Sequence, residues 1–425
     1  DHGHWDTEPW HANAEFFNDF GSYDVNLTVP AEYLVAGAGV PAGERAAGTA
    51  AKTLRFTSED VTDFAFAASP DFKTRAAKAG DVEVALYYLP EHEAGVDEYI
   101  TAAVGALQDY SAWYGAYPHP RLTVVDVPDN AGGAGGMEYP TLVTGGTVGV
   151  QGGSGFVALV VSHEIGHQWW PMQTATNEGR APWLDEGLTE YSGMRYLIET
   201  GTQIGLGGMG VSAAVVDKAE CASSMNRPAT LPAWQYTGGT YITVYCKTAL
   251  GLWTLESVVG TSPFRKAMAD YLAQYRFKHP TGADFRASLE RSLGGDLGWF
   301  FNDYLNGIGV IDYTAGPIEN TASGSIVRII RKGAVRAPVE VWVTLASGAQ
   351  HVESWDGQAQ ETSFTFSGGD PVARVEVDPA HKLKAELNVL DNSVSTAPQI
   401  SPAITLGGRL AFLLQAIAQT IGLFG

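Results

Sequence analysis

The chain has 425 residues, of which 45% are hydrophobic, so it can form two or three globular domains with buried cores. Its 47 acidic and 26 basic residues give a formal net charge of -21 at pH 7, which disfavours nucleic acid as a partner. An acidic surface is also typical of proteins outside the cytoplasm, and we expect an extracytoplasmic or membrane-associated location.

The chain contains only two cysteines, Cys221 and Cys246. Two cysteines are too few for a disulfide scaffold and are not spaced like a zinc knuckle. A bridge between them is compatible with the sequence, but we expect two buried free thiols. The chain starts at Asp1 with no apolar leader, so we expect the natural N-terminus to lie elsewhere.

Residues 1–92 are predicted to form an N-terminal β domain with an antiparallel sheet. Short runs in this region alternate apolar and polar residues, as in YDVNLTVP, KTLRFTSEDV, DFAFAAS and VEVALYYLP. From Val96 to Tyr114 the apolar residues recur at helical spacing, and the strand RLTVVDVP follows. The glycine-rich segment DNAGGAGGMEYPTLVTGG lacks the Gly-Lys-Ser/Thr ending of a phosphate loop, which favours close approach to a substrate or a strand.

Residues 93–315 are predicted to form a mostly helical domain. Apolar periodicity predicts helices at 156–169, 183–199, 241–259, 263–277 and 283–305. Residues 316–392 return to alternating strands and predict a β-sandwich. Residues 393–425 are a linker and an apolar tail, whose predicted helix is shorter than the roughly 20 residues that span a bilayer. For that tail, a membrane anchor and a docked amphipathic helix remain equally open.

The segment VVSHEIGHQWWP carries the chemistry. His163 and His167 are four residues apart on a predicted helix, so both imidazoles lie on one face, as a tetrahedral metal site requires. Glu164 flanks this pair and can take a proton from a metal-activated water. Eighteen residues separate His167 from Glu186, whose carboxylate completes a two-histidine, one-carboxylate zinc set with an open fourth position.

Neighbouring residues have plainer interpretations. Asp185 or Glu190 could orient a ligating histidine, but an ordinary surface role is the expectation for each. Trp169, Trp170 and Trp183 are expected to pack in the core.

The combination of HEIGH, Glu186 and GGMEY resembles the M1 family of gluzincin metallopeptidases, the relatives of aminopeptidase N. The resemblance covers Tyr23 to Tyr313 and implies a thermolysin-like catalytic domain that binds one zinc ion per chain through His163, His167 and Glu186. It makes Glu164 the general base.

The resemblance also implies roles in substrate binding. It assigns Glu138, preceded by Gly135 and Gly136, to binding the free α-amine of a peptide. The match of YCKTA to a family element implies that Tyr245 stabilises the oxyanion.

Some positions depart from the family pattern. Tyr139 replaces the asparagine that follows Met-Glu, and Pro171 and Met172 replace a common Gly-Asn. The β domain is short, and no second anchor for the amine can be identified.

The sequence is therefore interpreted as a multidomain α+β zinc aminopeptidase that acts on peptides with a free N-terminus. Two alternatives stay open. One is an endopeptidase or another hydrolase on the same zinc, and the other is a non-catalytic scaffold in a membrane-associated protein. The residue preference and the oligomeric state do not follow from the sequence.

Overall fold

The computed structural model describes residues 13–145, 155–206, 209–221 and 225–397, together with Pro9 and His11. The chain divides into two compact units. The first comprises residues 1–310 with 383–387, and the second comprises 311–382 with 388–425. This mixed α+β multidomain organisation is the one predicted.

The first unit begins with five strands that form two small antiparallel sheets. The strands are β1 (Gly21–Pro30), β2 (Leu34–Gly37), β3 (Val40–Ala46), β4 (Ala51–Val61) and β5 (Phe66–Ser69). One sheet has the order β1-β4-β3, and the other pairs β2 with β5. Strand β1 alternates between exposed and half-buried residues, as the sequence pattern predicted, and Phe56 and Val61 of β4 are buried.

A mixed sheet of four strands follows, in the order β6-β7-β8-β9. Its strands are β6 (Lys73–Ala79), β7 (Val82–Tyr88), β8 (Arg121–Asp126) and β9 (Leu142–Gly145). The predicted antiparallel pairing of VEVALYYLP is only half right, because β7 pairs antiparallel with β6 but parallel with β8. Helix α1 (Val96–Tyr114) makes the crossover that such a parallel pair requires.

This sheet spans the domain boundary predicted at residue 92. The division of the first unit into a β domain and a catalytic domain stays a prediction.

Six further helices are described in the first unit. They are α2 (Phe156–Gly166), α3 (Glu186–Thr200), α4 (Ala213–Cys221), α5 (Ile242–Val259), α6 (Thr261–Tyr275) and α7 (Gly282–Leu293). A short two-stranded ribbon of β10 (Ile204–Leu206) and β11 (Met209–Val211) precedes α4. Helix α7 begins with a capping box in which Thr281 and Asp284 exchange hydrogen bonds, so both side chains satisfy backbone groups at its N-terminus.

Three predicted helix boundaries need correction. Helix α2 ends at Gly166 rather than at residue 169, and Pro182 opens a separate 3-10 turn (Pro182–Leu184) ahead of α3. The single helix predicted at 283–305 is two elements, because Gly294 adopts a φ of 74° and terminates α7. A π-helical segment, Trp299–Leu305, follows.

Cys221 and Cys246 form a disulfide, so the expectation of two free thiols is wrong. Their Cα atoms are 5.7 Å apart, and the bridge links the end of α4 to α5. Both residues are buried, as expected for either state. Sequence spacing could not reveal the pairing, because the fold brings together residues 25 positions apart.

The described residues of the second unit form two antiparallel sheets. Its strands are β12 (Tyr313–Thr321), β13 (Gly324–Arg331), β14 (Val339–Leu345), β15 (Gln350–Trp355), β16 (Glu361–Ser367), β17 (Val372–Val377) and β18 (Ser393–Ser395). The sheet orders are β12-β13-β16 and β15-β14-β17-β18. Val327, Ile329, Val341 and Val375 are fully buried, which places the apolar faces inward.

The predicted apolar C-terminal helix lies outside the described residues. Among the helices that are described, none is both long and apolar enough to cross a bilayer.

Candidate active site

Helices α2 and α3 place three metal-ligand candidates together. His163 is in the last turn of α2, and His167 follows directly after its end. The N–H of His167 lies 3.3 Å from the carbonyl oxygen of His163, so the two imidazoles remain one helical turn apart. Glu186 is the first residue of α3. The structure therefore brings the three predicted ligands together.

The two helices can approach closely because small residues line their contact. A methyl group at Gly166 would lie 3.0 Å from Cγ2 of Thr189, and one at Gly193 would lie 3.5 Å from the backbone of His163. Glycine at both positions lets the backbone of α3 run beside the histidines. This packing brings the Glu186 carboxylate within reach of both rings.

The three donor atoms form a compact triangle. Nε2 of His163 lies 3.2 Å from Nε2 of His167, and the same Glu186 oxygen, Oε2, lies 3.1 Å from the first nitrogen and 3.2 Å from the second. A tetrahedral zinc with bonds of about 2.0–2.2 Å would separate its ligands by about 3.3–3.6 Å, only slightly more than these distances. The size and chemistry of this donor set therefore fit zinc.

Each histidine is oriented through its second nitrogen. Nδ1 of His163 lies 2.8 Å from Oε2 of Glu190, and Nδ1 of His167 lies 2.7 Å from Oδ1 of Asp185. The carbonyl oxygen of Trp170 lies 2.9 Å from the same Nδ1 of His167. A carboxylate on Nδ1 favours the tautomer that leaves Nε2 free for a metal. The ordinary surface roles expected for Asp185 and Glu190 are therefore wrong.

The electrostatics of the ligand set come from burial and charge pairing. Burial alone would lower the pKa of His163 and His167, but their carboxylate partners outweigh it and hold both pKa values well above the usual range. Burial would raise the pKa of Glu186, yet hydrogen bonds to the two histidines hold it well below its usual value. Glu186 is therefore ionised, as a metal ligand must be.

Glu164 lies beside the ligand triangle, with one carboxylate oxygen within 4.8 Å of a ring nitrogen of His167 and of an oxygen of Glu138. It is 5% exposed, and its Oε2 has no hydrogen-bond partner. A side chain at Gly136 would begin 3.6 Å from the other carboxylate oxygen of Glu164, and Gly136 has a φ of 67° that favours glycine. Burial raises the pKa of Glu164 to about 6, although the two histidines counteract the shift.

Glu138 lies on a short edge segment next to β9. Residues 136 and 137 hydrogen-bond to Thr144 of that strand, with distances of 2.8 to 3.1 Å. The Gln168 side chain, next to His167, contacts the carbonyl oxygens of Glu138 and Tyr139 and so ties the segment to the metal ligands. Gly135, half-buried, precedes Gly136 on the same segment.

Burial is the main influence on Glu138. It is 3% exposed, and its Oε1 has no hydrogen-bond partner. Burial raises its pKa to about 8, His167 counteracts the shift, and nearby carboxylates add to it.

Tyr245 reaches the site from the first turn of α5. Its hydroxyl donates a hydrogen bond to Oε1 of Glu186, and its ring stacks on His163 with centroids 5.9 Å apart. Burial and the charge of Glu186 raise the pKa of Tyr245 well above its usual value, so the phenol keeps its proton. Tyr245 is thus a hydrogen-bond donor beside the ligand triangle rather than a core aromatic.

The three tryptophans are core residues, as predicted. Trp169 and Trp170 are fully buried, and Trp183 is 4% exposed against Phe285 of α7.

Two acidic residues at the site were not found from the sequence. One oxygen from each of Glu15, Glu138, Glu178 and Asp185 lies within 4.8 Å of the other three. Glu178 comes from the loop between the ligand helices and Glu15 from the N-terminal segment. No sequence spacing links either residue to Glu138 or to the metal-ligand candidates, because tertiary packing alone brings them together.

Comparisons with known proteins agree with this geometry. Residues 100–304 match the family model described as the peptidase family M1 domain. Mouse endoplasmic reticulum aminopeptidase 1 is 26% identical over 236 residues, covering 52% of this chain and 25% of that protein. Aminopeptidase N of Lactococcus lactis is 25% identical over 267 residues, covering 59% of this chain and 31% of that protein.

A solved structure of Legionella pneumophila aminopeptidase A has the same fold. It matches with a TM-score of 0.64 and 19% identity, over 83% of this chain and 43% of that chain. The chain thus spans about a quarter to a third of the length of the curated relatives named above.

Proposed function

We propose that the chain is a zinc-dependent aminopeptidase of peptidase family M1, whose domain model matches residues 100–304. The observation that carries the proposal is the arrangement around one point: three zinc-ligand atoms within 3.2 Å of one another, flanked by the buried carboxylates of Glu164 and Glu138. The finer description of residues 93–315 as a thermolysin-like domain belongs to the same proposal. It is supported by the β6–β9 sheet and the helices that follow it.

His163, His167 and Glu186 would hold one zinc ion. When bound there, zinc supplies Lewis acidity that polarises a carbonyl and lowers the pKa of a water molecule.

Glu164 provides the proton transfer. With a pKa of about 6, its carboxylate is ionised at neutral pH, yet basic enough to accept a proton from the attacking water. Its unpartnered Oε2 leaves one oxygen free for that water. The protonated carboxyl group can then donate the same proton to the leaving nitrogen of the peptide.

Tyr245 and Glu138 would contact two different groups of the N-terminal residue of the substrate, its carbonyl oxygen and its amine. The protonated phenol of Tyr245 lies beside the ligand triangle, where it can donate to the negative oxygen that develops from the carbonyl. Glu138 offers a buried oxygen without a partner, which suits the ammonium of a free N-terminus. Gly135 and Gly136 allow the substrate backbone to approach this edge segment.

Paired substrates test the proposal. Fluorogenic aminoacyl amides should be cleaved while their N-acetyl forms are not, and Glu138→Gln should raise KM for the free-amine forms. Internally quenched peptides with both ends blocked provide the contrast. Cleavage of these blocked peptides, with no preference for a free amine, would instead identify an endopeptidase on the same site.

We also propose an extracytoplasmic location. The Cys221–Cys246 disulfide supports it, because structural disulfides persist in oxidising compartments. The net charge of -21 is consistent with it. Protein isolated from its native cells with thiols blocked at lysis should show no free cysteine after denaturation, whereas two free thiols would contradict the proposal.

A further inference from the structure

A cleft of about 310 Å³ lies in the first unit, and none of its lining residues is a zinc-ligand candidate. It is bordered by the starts of β3 and β8, the end of β4, the residue that precedes β9 and a residue that follows α6. Clefts of about 300–1,000 Å³ are typical of small-molecule binding sites. This one is therefore large enough for a small ligand.

Three residues that line the cleft have a left-handed backbone although they are not glycine. Asp60, Thr141 and Phe277 have φ values of 55°, 64° and 58°. In the described part of the chain only six non-glycine residues have a positive φ, so half of them border this one cleft. Such conformations are costly for side chains as bulky as threonine and phenylalanine, and they cluster where a protein holds a ligand. The fold thus keeps the cleft in a shape that local preference opposes.

Two polar atoms of the lining residues are buried without a hydrogen-bond partner among the described residues. They are Oγ of Ser58, a residue that is 7% exposed, and Nε of Arg121. Nη1 of Arg121 lies 2.7 Å from Oε1 of Glu83, so the guanidinium is held in place while its Nε stays unused. A buried donor without an acceptor is destabilising. Ligand oxygens that accept from these two groups would remove that cost.

The lining carries both signs of charge. Arg121 is positive, and the exposed carboxylates of Glu59 and Asp60 are negative. Burial lowers the pKa of His119 to about 4, although Asp60 counteracts the shift, so this ring is neutral at neutral pH. The two carboxylates would repel a phosphate or a dicarboxylate, and the guanidinium would repel a metal ion or a diamine. A ligand with one charge of each sign fits this lining better than either.

The rest of the lining is largely apolar. Val40, Pro118, Pro120 and Phe277 contribute hydrocarbon surface to the cleft. The Phe277 ring is held by an edge contact with Phe20, with centroids 5.3 Å apart. An apolar group on the ligand would gain free energy by leaving water for this surface.

Two side chains link the cleft to the candidate active site. Oγ of Thr141 accepts a hydrogen bond of 2.6 Å from the N–H of Gly39, and the N–H of Thr141 donates one of 2.9 Å to Oε1 of Gln168. The Gln168 side chain also contacts the carbonyl oxygens of Glu138 and Tyr139. A ligand in the cleft would therefore lie against a residue that supports the edge segment.

We propose that this cleft is a second binding site, which takes a free α-amino acid with an apolar side chain. The carboxylate of the amino acid accepts from Arg121 and Ser58, its ammonium donates to Asp60, and its side chain packs on the apolar lining. This inference goes beyond the proposed function, because it follows from the lining and does not depend on hydrolysis. Amino acids of this class are also what the proposed aminopeptidase would release.

Calorimetry with leucine tests the site. The zinc-loaded protein would carry Glu138→Gln, which weakens any binding of leucine through its amine at the proposed active site. Leucine should still bind with one-to-one stoichiometry. Adding Asp60→Asn should weaken this binding about 10- to 100-fold, as expected for a lost hydrogen bond between charged groups. Asparagine adopts the left-handed conformation as readily as aspartate, so the backbone should not change.

Two leucine analogues separate the contacts. N-acetyl-leucine lacks the ammonium, and its affinity should not respond to Asp60→Asn. Leucinol lacks the carboxylate, and its affinity should not respond to Arg121→Lys, which keeps a positive charge beside Glu83 but removes Nε. The same Arg121→Lys change should weaken leucine and N-acetyl-leucine about 10-fold or more. If this variant does not fold, Ser58→Ala tests the same carboxylate contact.

Asp71→Asn is the matched control, because it removes an exposed carboxylate outside the cleft and should change none of the three affinities. Absence of leucine binding, or leucine affinity that none of the cleft substitutions alters, would overturn the site. Equal loss of all three ligands in a variant would reveal a structural role and would overturn it as well. Hydrolysis of aminoacyl amides by a protein without this leucine site would refute the second site and leave the proposed function intact.

Discussion

The site has two halves that treat negative charge differently. In the metal half, Glu186, Glu190 and Asp185 each contact a histidine nitrogen at 2.7 to 3.2 Å. In the amine half, named for the proposed function, Glu138 and Glu178 are buried, and burial raises the pKa of both carboxyl groups. The contrast teaches that pairing with histidines outweighs burial at Glu186, whereas burial dominates at Glu138 and Glu178, in the half to which the proposed function assigns the amine of the substrate.

The largest effect should come from removing a metal ligand. His167→Ala removes a proposed zinc ligand and leaves Asp185 and Glu186 without their shared partner. Zinc affinity should fall by more than about 100-fold, because loss of a residue that only orients a ligand already lowers metal affinity about 10- to 100-fold. Zinc content after dialysis and hydrolysis of leucine p-nitroanilide would both be measured. His351→Ala, an exposed histidine in β15, serves as the matched control. Retention of stoichiometric zinc would contradict the assignment of His167.

Glu164→Gln should separate chemistry from metal binding. Turnover should fall by about 10²- to 10⁴-fold because the amide cannot accept the proton from water. Zinc stoichiometry and substrate KM should stay near their original values, because in this account Glu164 binds neither the zinc ion nor the amine of the substrate. If turnover persisted with zinc bound, the role of Glu164 as general base would be wrong.

Tyr245→Phe should have a smaller effect on turnover. Loss of the donor beside the ligand triangle should lower kcat by about 10²- to 10³-fold. Zinc content should change little, because Glu186 keeps both of its histidine contacts. A decrease in kcat of less than threefold would show that Tyr245 serves only in packing.

The smallest effect should come from the residues that orient the histidines. Asp185→Asn should weaken zinc binding about 10- to 100-fold, because a neutral amide holds the Nδ1 proton of His167 less strongly. Glu190→Gln is the matched change on His163. Competition with a zinc-binding dye would give both affinities, and saturating zinc should restore most of the activity. Unchanged affinity in both variants would show that the carboxylates are not needed to orient the rings.

The same contrast explains what could be predicted from the sequence. His163, Glu164 and His167 lie within about one and a half helical turns, and Glu186 is the first residue of α3, so their spacing was enough to predict that they lie together. Glu15 and Glu178 reach Glu138 only through tertiary packing and carry no periodic signal. The pairing of β7 with β8 and the Cys221–Cys246 bridge were misjudged for the same reason.

Local chemistry misled the prediction at other positions. Gly294 ended α7 where apolar periodicity continued, because its left-handed conformation stops the helix. Asp185 and Glu190 looked like surface acids, since nothing in the sequence reveals that α3 turns them toward the histidines.

Zinc titration of the metal-free protein tests the central claim most directly. Hydrolysis of leucine p-nitroanilide and of its N-acetyl form would be followed as zinc is returned after chelation. We predict that activity on the free-amine substrate rises linearly and stops at one zinc per chain, while the acetylated substrate stays intact. Full activity without zinc, or equal cleavage of both substrates, would contradict a zinc aminopeptidase built from these two halves.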